Sequence, residues 1–412
     1  MGDPFNIDYV AHEMGHQFGG DHTFNSVTGS CGGGNRSSGS AFEIGSATTI
    51  MGYAGICGND DIQAHSDDYY HVRSLEQMTS NNVTACATNT ASNNTLPTLN
   101  AINASYIIPY RTAFELTASG SDADNDPLTY CWEEYDKGGS GGAWDATTTV
   151  APILRSFKPT TSPTRTFPQL KYLVQNLESY KGERLPDNAR TLRFRCTARD
   201  LHNGYGGFYT STDSVKLDVR TTTGLFRVTS QNTVGQQLNG NSSITVTWDV
   251  AGTSGAPFNT SKVNIYFSAD SGKTWQYQMA NAVNNNGTAS VIVPNVDATW
   301  GRIKVKGDGN VYFDLNDNWI TVKKVNYPAG IQTVQTENIR IYPNPNNGSF
   351  AIELPNNIEH AHCEIVNNVG ATVFTSSIKN KEEIFLQNIA KGIYFVKLTI
   401  DNQVIVKKVI IE

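Results

Sequence analysis

At 412 residues the chain exceeds one ordinary domain and can bury several separate cores. Charged residues make up only 17%, the net charge is −7 and no Lys/Arg run occurs, which excludes the electrostatic footprint of a nucleic-acid-binding protein. No apolar run approaches the length of a bilayer span, so no transmembrane segment is expected, and the abundance of Asn, Thr, Ser and Gly reads as turn-rich, mostly β structure.

The six cysteines, Cys31, Cys57, Cys86, Cys131, Cys196 and Cys363, stand apart without a CxxC pair. That distribution suits isolated disulfides and an exported protein better than a thiolate cluster. The N-terminus has no basic stretch followed by an apolar one and a cleavage site, so an export address is expected elsewhere or in a longer precursor.

The first predicted element is a helix over residues 6–18, capped by Asn6 or Asp8 and stopped by Gly19-Gly20. It carries HEMGHQFGGDH, which begins at His12. At i and i+4, His12 and His16 project from one helical face and can grip a single cation, with the Glu13 carboxylate beside the open coordination position. Gly19 tolerates φ > 0, which lets the chain turn sharply and return His22 as a third nitrogen ligand. Three neutral imidazoles with a free fourth position define a catalytic zinc site rather than a closed structural one. Such a zinc lowers the pKa of water to about 7, and Glu13 would serve as the general base toward a peptide carbonyl and then return the proton to the leaving amine.

Glycine and serine dominate 28–48, and SATTIMGYAGIC follows with Met51 and Tyr53. A second amphipathic stretch, DDYYHVRSLEQM at 67–78, predicts a short helix that closes this first unit. His65 and His71 are read as solvated polar side chains rather than a second metal site. The polar segment NNVTACATNTASNNTLP is read as a linker.

HExxHxxGxxH followed by a Met-turn resembles the metzincin metallopeptidases. The resemblance implies His12, His16 and His22 as zinc ligands, Glu13 as a catalytic residue, and Met51 as a thioether packed beneath the histidines. It also implies that Tyr53 ligates the metal or assists the oxyanion, a buried aromatic being the alternative. The HTF after the motif, the cysteines and the closing helix are most similar to reprolysin-like peptidases, with pappalysin-like enzymes second. Thr23 follows His22 where reprolysins usually carry Asp. Metzincin domains place a sheet-containing subdomain before the active-site helix. The resemblance therefore implies that 1–88 is the C-terminal part of a catalytic domain, and this chain a truncated part of a longer precursor. Within that unit Cys31, Cys57 and Cys86 are an odd number, leaving one to pair outside it.

From about Leu96 the hydrophobic period changes from 3.6 to 2. In SITVTWDV, Ile244, Val246, Trp248 and Val250 alternate with polar residues, and in KVNIYFS Val263, Ile265 and Phe267 share one face. LTYCWEEYD and TLRFRCTARD resemble the inter-sheet cysteine pair and packed Trp of immunoglobulin-like domains, which implies a Cys131–Cys196 disulfide; two buried free thiols are the alternative. In SGSDADNDPLTY, Asp122, Asp124 and Asp126 resemble the calcium loops of cadherin-like and PKD-like modules, a polar Asp/Asn turn being the alternative. His202, His360 and His362 have no partner pattern. At the end of the chain, IRIYPNPNNGSFAIELP, GATVF and KGIYFVKLTIDNQVIVKKVIIE resemble the C-terminal sorting domain of the type IX (Por) secretion system.

The expected architecture is multidomain and mainly β. A partial α+β metzincin half (1–88) and a linker (89–96) precede two immunoglobulin-like β-sandwiches (97–221 and 222–325). A second linker (326–337) and a small sorting β-sandwich (338–412) complete it. The expected function is a secreted or surface-attached zinc metalloendopeptidase acting on protein or peptide substrates, exported by the type IX machinery. Calcium is a second cofactor if Asp122, Asp124 and Asp126 close on an ion. The competing expectation is a surface adhesion protein with a vestigial metal site.

Overall fold

Alternating strand patterns dominate the sequence, and the computed structural model is accordingly mainly β. It describes residues 4–81, 90–102, 104–146, 150–325, 339–355, 358, 360–400 and 403–412. The linker expected at 326–337, residue 89 of the other linker, and Cys86 lie outside the described residues. The chain forms two units, Met1–Val325 and Asn326–Glu412.

In the first unit, Phe5–Ala11 winds as a wide π-type helix and runs directly into α1, His12–Gln17. The cap expected from Asn6 or Asp8 is not made: Pro4 starts the helix, and the Asp8 carboxylate accepts the Ser66 N–H at 2.8 Å and meets His65 Nδ1 at 2.9 Å. At the other end, Gly20 N donates to Gly15 O and Gly19 N to His16 O, with Gly19 at φ +91. That is the left-handed glycine stop anticipated from Gly19-Gly20. A Cβ on Gly19 would also lie 2.3 Å from Asn81 Nδ2.

The second helix, α2, spans Val72–Ser80 and starts later than its hydrophobic pattern implies. His71 sets the start, its Nδ1 accepting the Arg73 N–H at 3.1 Å. Residues before it are drawn into the core instead: Ile50 N donates to Tyr69 O, and Tyr69 Oη to Ser156 Oγ at 2.7 Å. His71 is buried beside Glu133 (3.8 Å), not solvated as expected, whereas His65 is exposed.

The β-region of this unit is built on strand Arg190–Arg199, which pairs with Thr129–Glu134 on one edge and Val215–Arg220 on the other. The facing sheet contains Ala113–Thr117 paired to Thr164–Phe167, and rings of Phe114, Phe167 and Phe194 close the space between them at 4.7–5.5 Å. Further along, Val246, Trp248, Val263, Ile265 and Phe267 are buried, with Ile244 and Val250 packed on the same core, as their alternation predicts. Strand Tyr312–Leu315 pairs with Ala113–Thr117, so one sheet and one apolar core run through both halves of the β-region.

The expected Cys131–Cys196 disulfide is not formed; both thiols are free and buried. Trp132, not Cys131, lies directly opposite Cys196 on the paired strands. Neighbours along a strand point to opposite faces, so Cys131 and Cys196 emerge on opposite sides of a single sheet and cannot bridge two. Among the described residues, a disulfide joins Cys31 to Cys57.

The second unit carries a three-stranded sheet, Arg340–Tyr342, Ser349–Glu353 and Lys381–Phe385, and a four-stranded one. The latter ends in the hairpin Gly392–Ile400 and Gln403–Ile411. Phe350, Ile352, Ile365, Val396 and Val409 fill the core.

Candidate metal centre

The helical i, i+4 offset and the glycine stop bring His12, His16 and His22 together. His22 Nε2 lies 3.2 Å from His12 Nε2 and 3.1 Å from His16 Nε2. Each ring's other nitrogen faces a backbone carbonyl: His12 Nδ1 donates to Ile50 O (2.7 Å), His16 Nδ1 to Gly20 O (2.8 Å) and His22 Nδ1 to Asn35 O (2.6 Å). A carbonyl can only accept, so in each neutral ring the proton sits on Nδ1 and the Nε2 lone pair is free. Three lone pairs therefore point at one another with no hydrogen to share. Burial lowers the pKa of both His12 and His22, which keeps their rings neutral and sharpens this arrangement. A tetrahedral zinc with Zn–N near 2.0–2.1 Å spaces its nitrogens by roughly 3.3 Å, so the donor set fits that ion.

Met51 is fully buried and packs on α1. Its sulfur occupies the place of a side chain on Gly15, since a Cβ there would lie 2.3 Å from Sδ. Thr23 N donates to Met51 O at 3.1 Å, which joins the segment carrying the third histidine to this turn. The Tyr53 ring lies 4.5 Å from that of His22 and 5.6 Å from that of His12. Burial, with a smaller contribution from the charge of Glu13, raises the Tyr53 pKa and holds its hydroxyl protonated. Glu13 is exposed and, with His12, Tyr53, Ile56, Asp8 and His65, lines a cavity of about 430 Å³.

Sequence reasoning missed Glu43, although it is buried at the heart of this region. Its Oε2 accepts Thr23 Oγ1 at 2.6 Å and Thr49 Oγ1 at 2.5 Å, and its Oε1 accepts Thr48 N at 3.1 Å. Thr23, which stands where reprolysins usually carry Asp, thus hands a hydroxyl to a carboxylate supplied from elsewhere in the chain. The signal available was weak: one acid in a stretch of small residues.

The acidic loop behaves differently from its expectation. Asp122 Oδ1 accepts the N–H groups of Asp124 (2.8 Å) and Asp126 (3.2 Å), a local turn, while Asp124 Oδ2 accepts Thr95 N at 2.6 Å. The groups that converge are Asp124, Asp126 and His202, with His202 Nδ1 2.6 Å from Asp126 Oδ2. A triple carboxylate cage of Asp122, Asp124 and Asp126 is not present, and calcium is unsupported there.

Residues 2–70 match the family described as Metallo-peptidase family M12B Reprolysin-like, and residues 340–412 match the Secretion system C-terminal sorting domain. A search of curated proteins found no significant match. Among solved structures, Sidekick-1 immunoglobulin domains 1–5 align at 11% identity and TM-score 0.17, over 77% of this chain and 59% of that one. Chicken CNTN1 FN1–FN3 domains align at 10% identity and TM-score 0.20, over 77% and 97%. The Ig1-2 module of the Drosophila receptor protein tyrosine phosphatase DLAR aligns at 10% and 0.29, over 56% and 100%. Those TM-scores are too low to support any argument about this protein. The chain carries a reprolysin-like M12B metallopeptidase region and a Por secretion sorting tail, which directs type IX export to the extracellular space or cell surface. Among the described residues no helix is long and apolar enough to cross a membrane.

Proposed function

We propose that the protein is a zinc-dependent endopeptidase, delivered by the type IX machinery, with His12, His16 and His22 as metal ligands and Glu13 as general base. The observation that carries this reading is the convergence of three Nε2 lone pairs whose tautomers are set by Ile50, Gly20 and Asn35. His12, His16 and His22 would hold the zinc, which would supply a water acidified toward pKa 7 and polarisation of a carbonyl. Glu13, next in the helix to His12 and open to the cavity, takes the proton as water attacks the peptide and delivers it to the leaving amine. The protonated Tyr53 hydroxyl, beside His12 and His22, donates to the oxygen that gains charge. The adjoining cavity receives one side chain of an extended protein substrate.

The test is hydrolysis of an unfolded protein by the zinc-loaded chain and by its Glu13→Ala variant. Cleavage by the first and a loss of at least 100-fold in the second is expected, within the usual range for a positioned acid–base group. No cleavage by either, with zinc bound one to one, would favour an adhesion protein in which the metal site does no chemistry.

A further inference from the structure

His22 is the one ligand of the three that lies on a loop rather than on α1. Its ring plane is set by the Asn35 carbonyl, so it can be no better placed than that carbonyl. Asn35 follows Gly32-Gly33-Gly34, with Gly33 and Gly34 at φ +65 and +96 and open space around both. Such a run does not hold a position unaided. On its near side the loop is tied by the Cys31–Cys57 disulfide and by Asn35 Nδ2 donating to Ser30 O at 2.9 Å.

The far side is tied by Arg36. No carboxylate stands within ion-pair distance of its guanidinium among the described residues. Instead Nη2 donates to Asn25 Oδ1 (2.9 Å), Gly138 O (3.2 Å) and Gly139 O (2.9 Å). Gly138 and Gly139 belong to the β-region, just beyond strand Thr129–Glu134. The same segment returns backbone bonds, Gly138 N to Ala41 O (2.8 Å) and Gly142 N to Asn25 O (3.1 Å), and Trp144 N reaches Asp60 Oδ1 at 3.3 Å. The fit requires glycine: a Cβ on Gly138 would lie 2.0 Å from Asn25 Oδ1, and one on Gly141, at φ +85, would lie 2.6 Å from Val27 Cγ1 and 3.1 Å from Arg36 Nε. The two Arg36 bonds and the Gly142–Asn25 bond therefore join the histidine loop to a stretch more than 100 residues away in sequence, and the Gly138–Ala41 and Trp144–Asp60 bonds fix that stretch to the loop's surroundings.

We infer that segment 138–144 is a strap that positions the third metal ligand through Arg36, making the first β-sandwich a working part of the metal centre. Arg36 is a positioning residue: it touches neither the metal ligands nor the cavity, and acts through Asn35 on His22. The inference rests on the reading of His12, His16 and His22 as metal ligands.

The experiment uses the full chain and measures zinc affinity by chelator competition, together with the visible spectrum of the cobalt-loaded protein. Arg36→Ala and, from the β-region alone, Gly138→Ala should each weaken zinc by about 10- to 100-fold and shift the cobalt bands, as loss of a support behind a ligand does. Arg36→Lys, which keeps the charge but not the planar fork, should recover only part of the affinity. Wild-type affinity and spectrum in Arg36→Ala, with its melting temperature retained, would overturn the inference. If Gly138→Ala fails to fold, the pair of Arg36 variants decides. His22→Ala separates the two levels: if it loads as tightly as wild type, the metal reading itself falls, whereas loss in His22→Ala without loss in Arg36→Ala removes only the strap.

Discussion

The sulfur of Met51 lies where a β-carbon on Gly15 would have to go, 2.3 Å from the ideal position. The glycine of HEMGH is therefore matched to a methionine far along the chain. Gly15→Ala should force the thioether or α1 to shift, at a cost of about 1–3 kcal/mol, the usual range for overpacking a filled core. Met51→Leu, close in volume, should cost less than about 1.5 kcal/mol. Urea denaturation of both variants checks the order; a neutral Gly15→Ala would mean that the thioether does not pack against the helix.

Glu43 joins Thr23, beside the third histidine, to Thr48 and Thr49, ahead of the Met51 turn. Removing a charged acceptor leaves buried hydroxyls unpartnered, and bonds to a charged group are each worth about 1.5–3 kcal/mol. Glu43→Ala should thus be among the most destabilising single changes in residues 4–81, with Glu43→Gln milder because its amide keeps the shape and one acceptor. Thermal melts that place Glu43→Gln below Glu43→Ala would contradict this account.

The Cys31–Cys57 bridge closes a separation of 26 residues. Chain-entropy reasoning assigns such a loop about 3.5 kcal/mol. Cys31→Ser should lower stability by an amount of this order and loosen metal binding, since the loop it closes carries Asn35. Peptide mapping without reductant should recover Cys31 linked to Cys57, while Cys131 and Cys196 alkylate only after unfolding. Burial raises both thiols' pKa, that of Cys196 to about 12, which suppresses their thiolates in the folded state.

His12 and His22 have pKa values lowered from 6.5, chiefly by burial. Unfolded imidazoles take up protons near pH 6.5, and the folded ones only at lower pH. The stability tied to these rings is therefore present above pH 6.5 and lost as pH falls below it. Because protons compete with metal for the same Nε2 atoms, zinc should stay bound as pH drops through 6.5 and leave only at lower pH. Zinc release followed with a fluorescent chelator would refute this if its midpoint fell above 6.5.

Much of the site was legible because its geometry is local. Two histidines four apart on a helix share a face whatever surrounds them, and Gly19 allowed the turn that returns His22. The strand faces of Val246–Trp248 and Val263–Phe267 were equally readable, since period-2 burial is a property of the backbone. The terminal run from Arg340 likewise carried its resemblance in contiguous residues. Other features depended on which distant segments meet. Cys131 and Cys196 looked like a bridge until strand register set Trp132 opposite Cys196 and turned the two thiols to opposite faces of one sheet. Cys31 found Cys57 and Glu43 found three threonines through the folding of residues 4–81, and Arg36 found Gly138 and Gly139 because the β-region packs against the histidine loop. The chain order specifies what each short stretch can present; tertiary packing selects the partner, because a buried polar group takes its hydrogen bonds from whatever the fold brings within 3 Å.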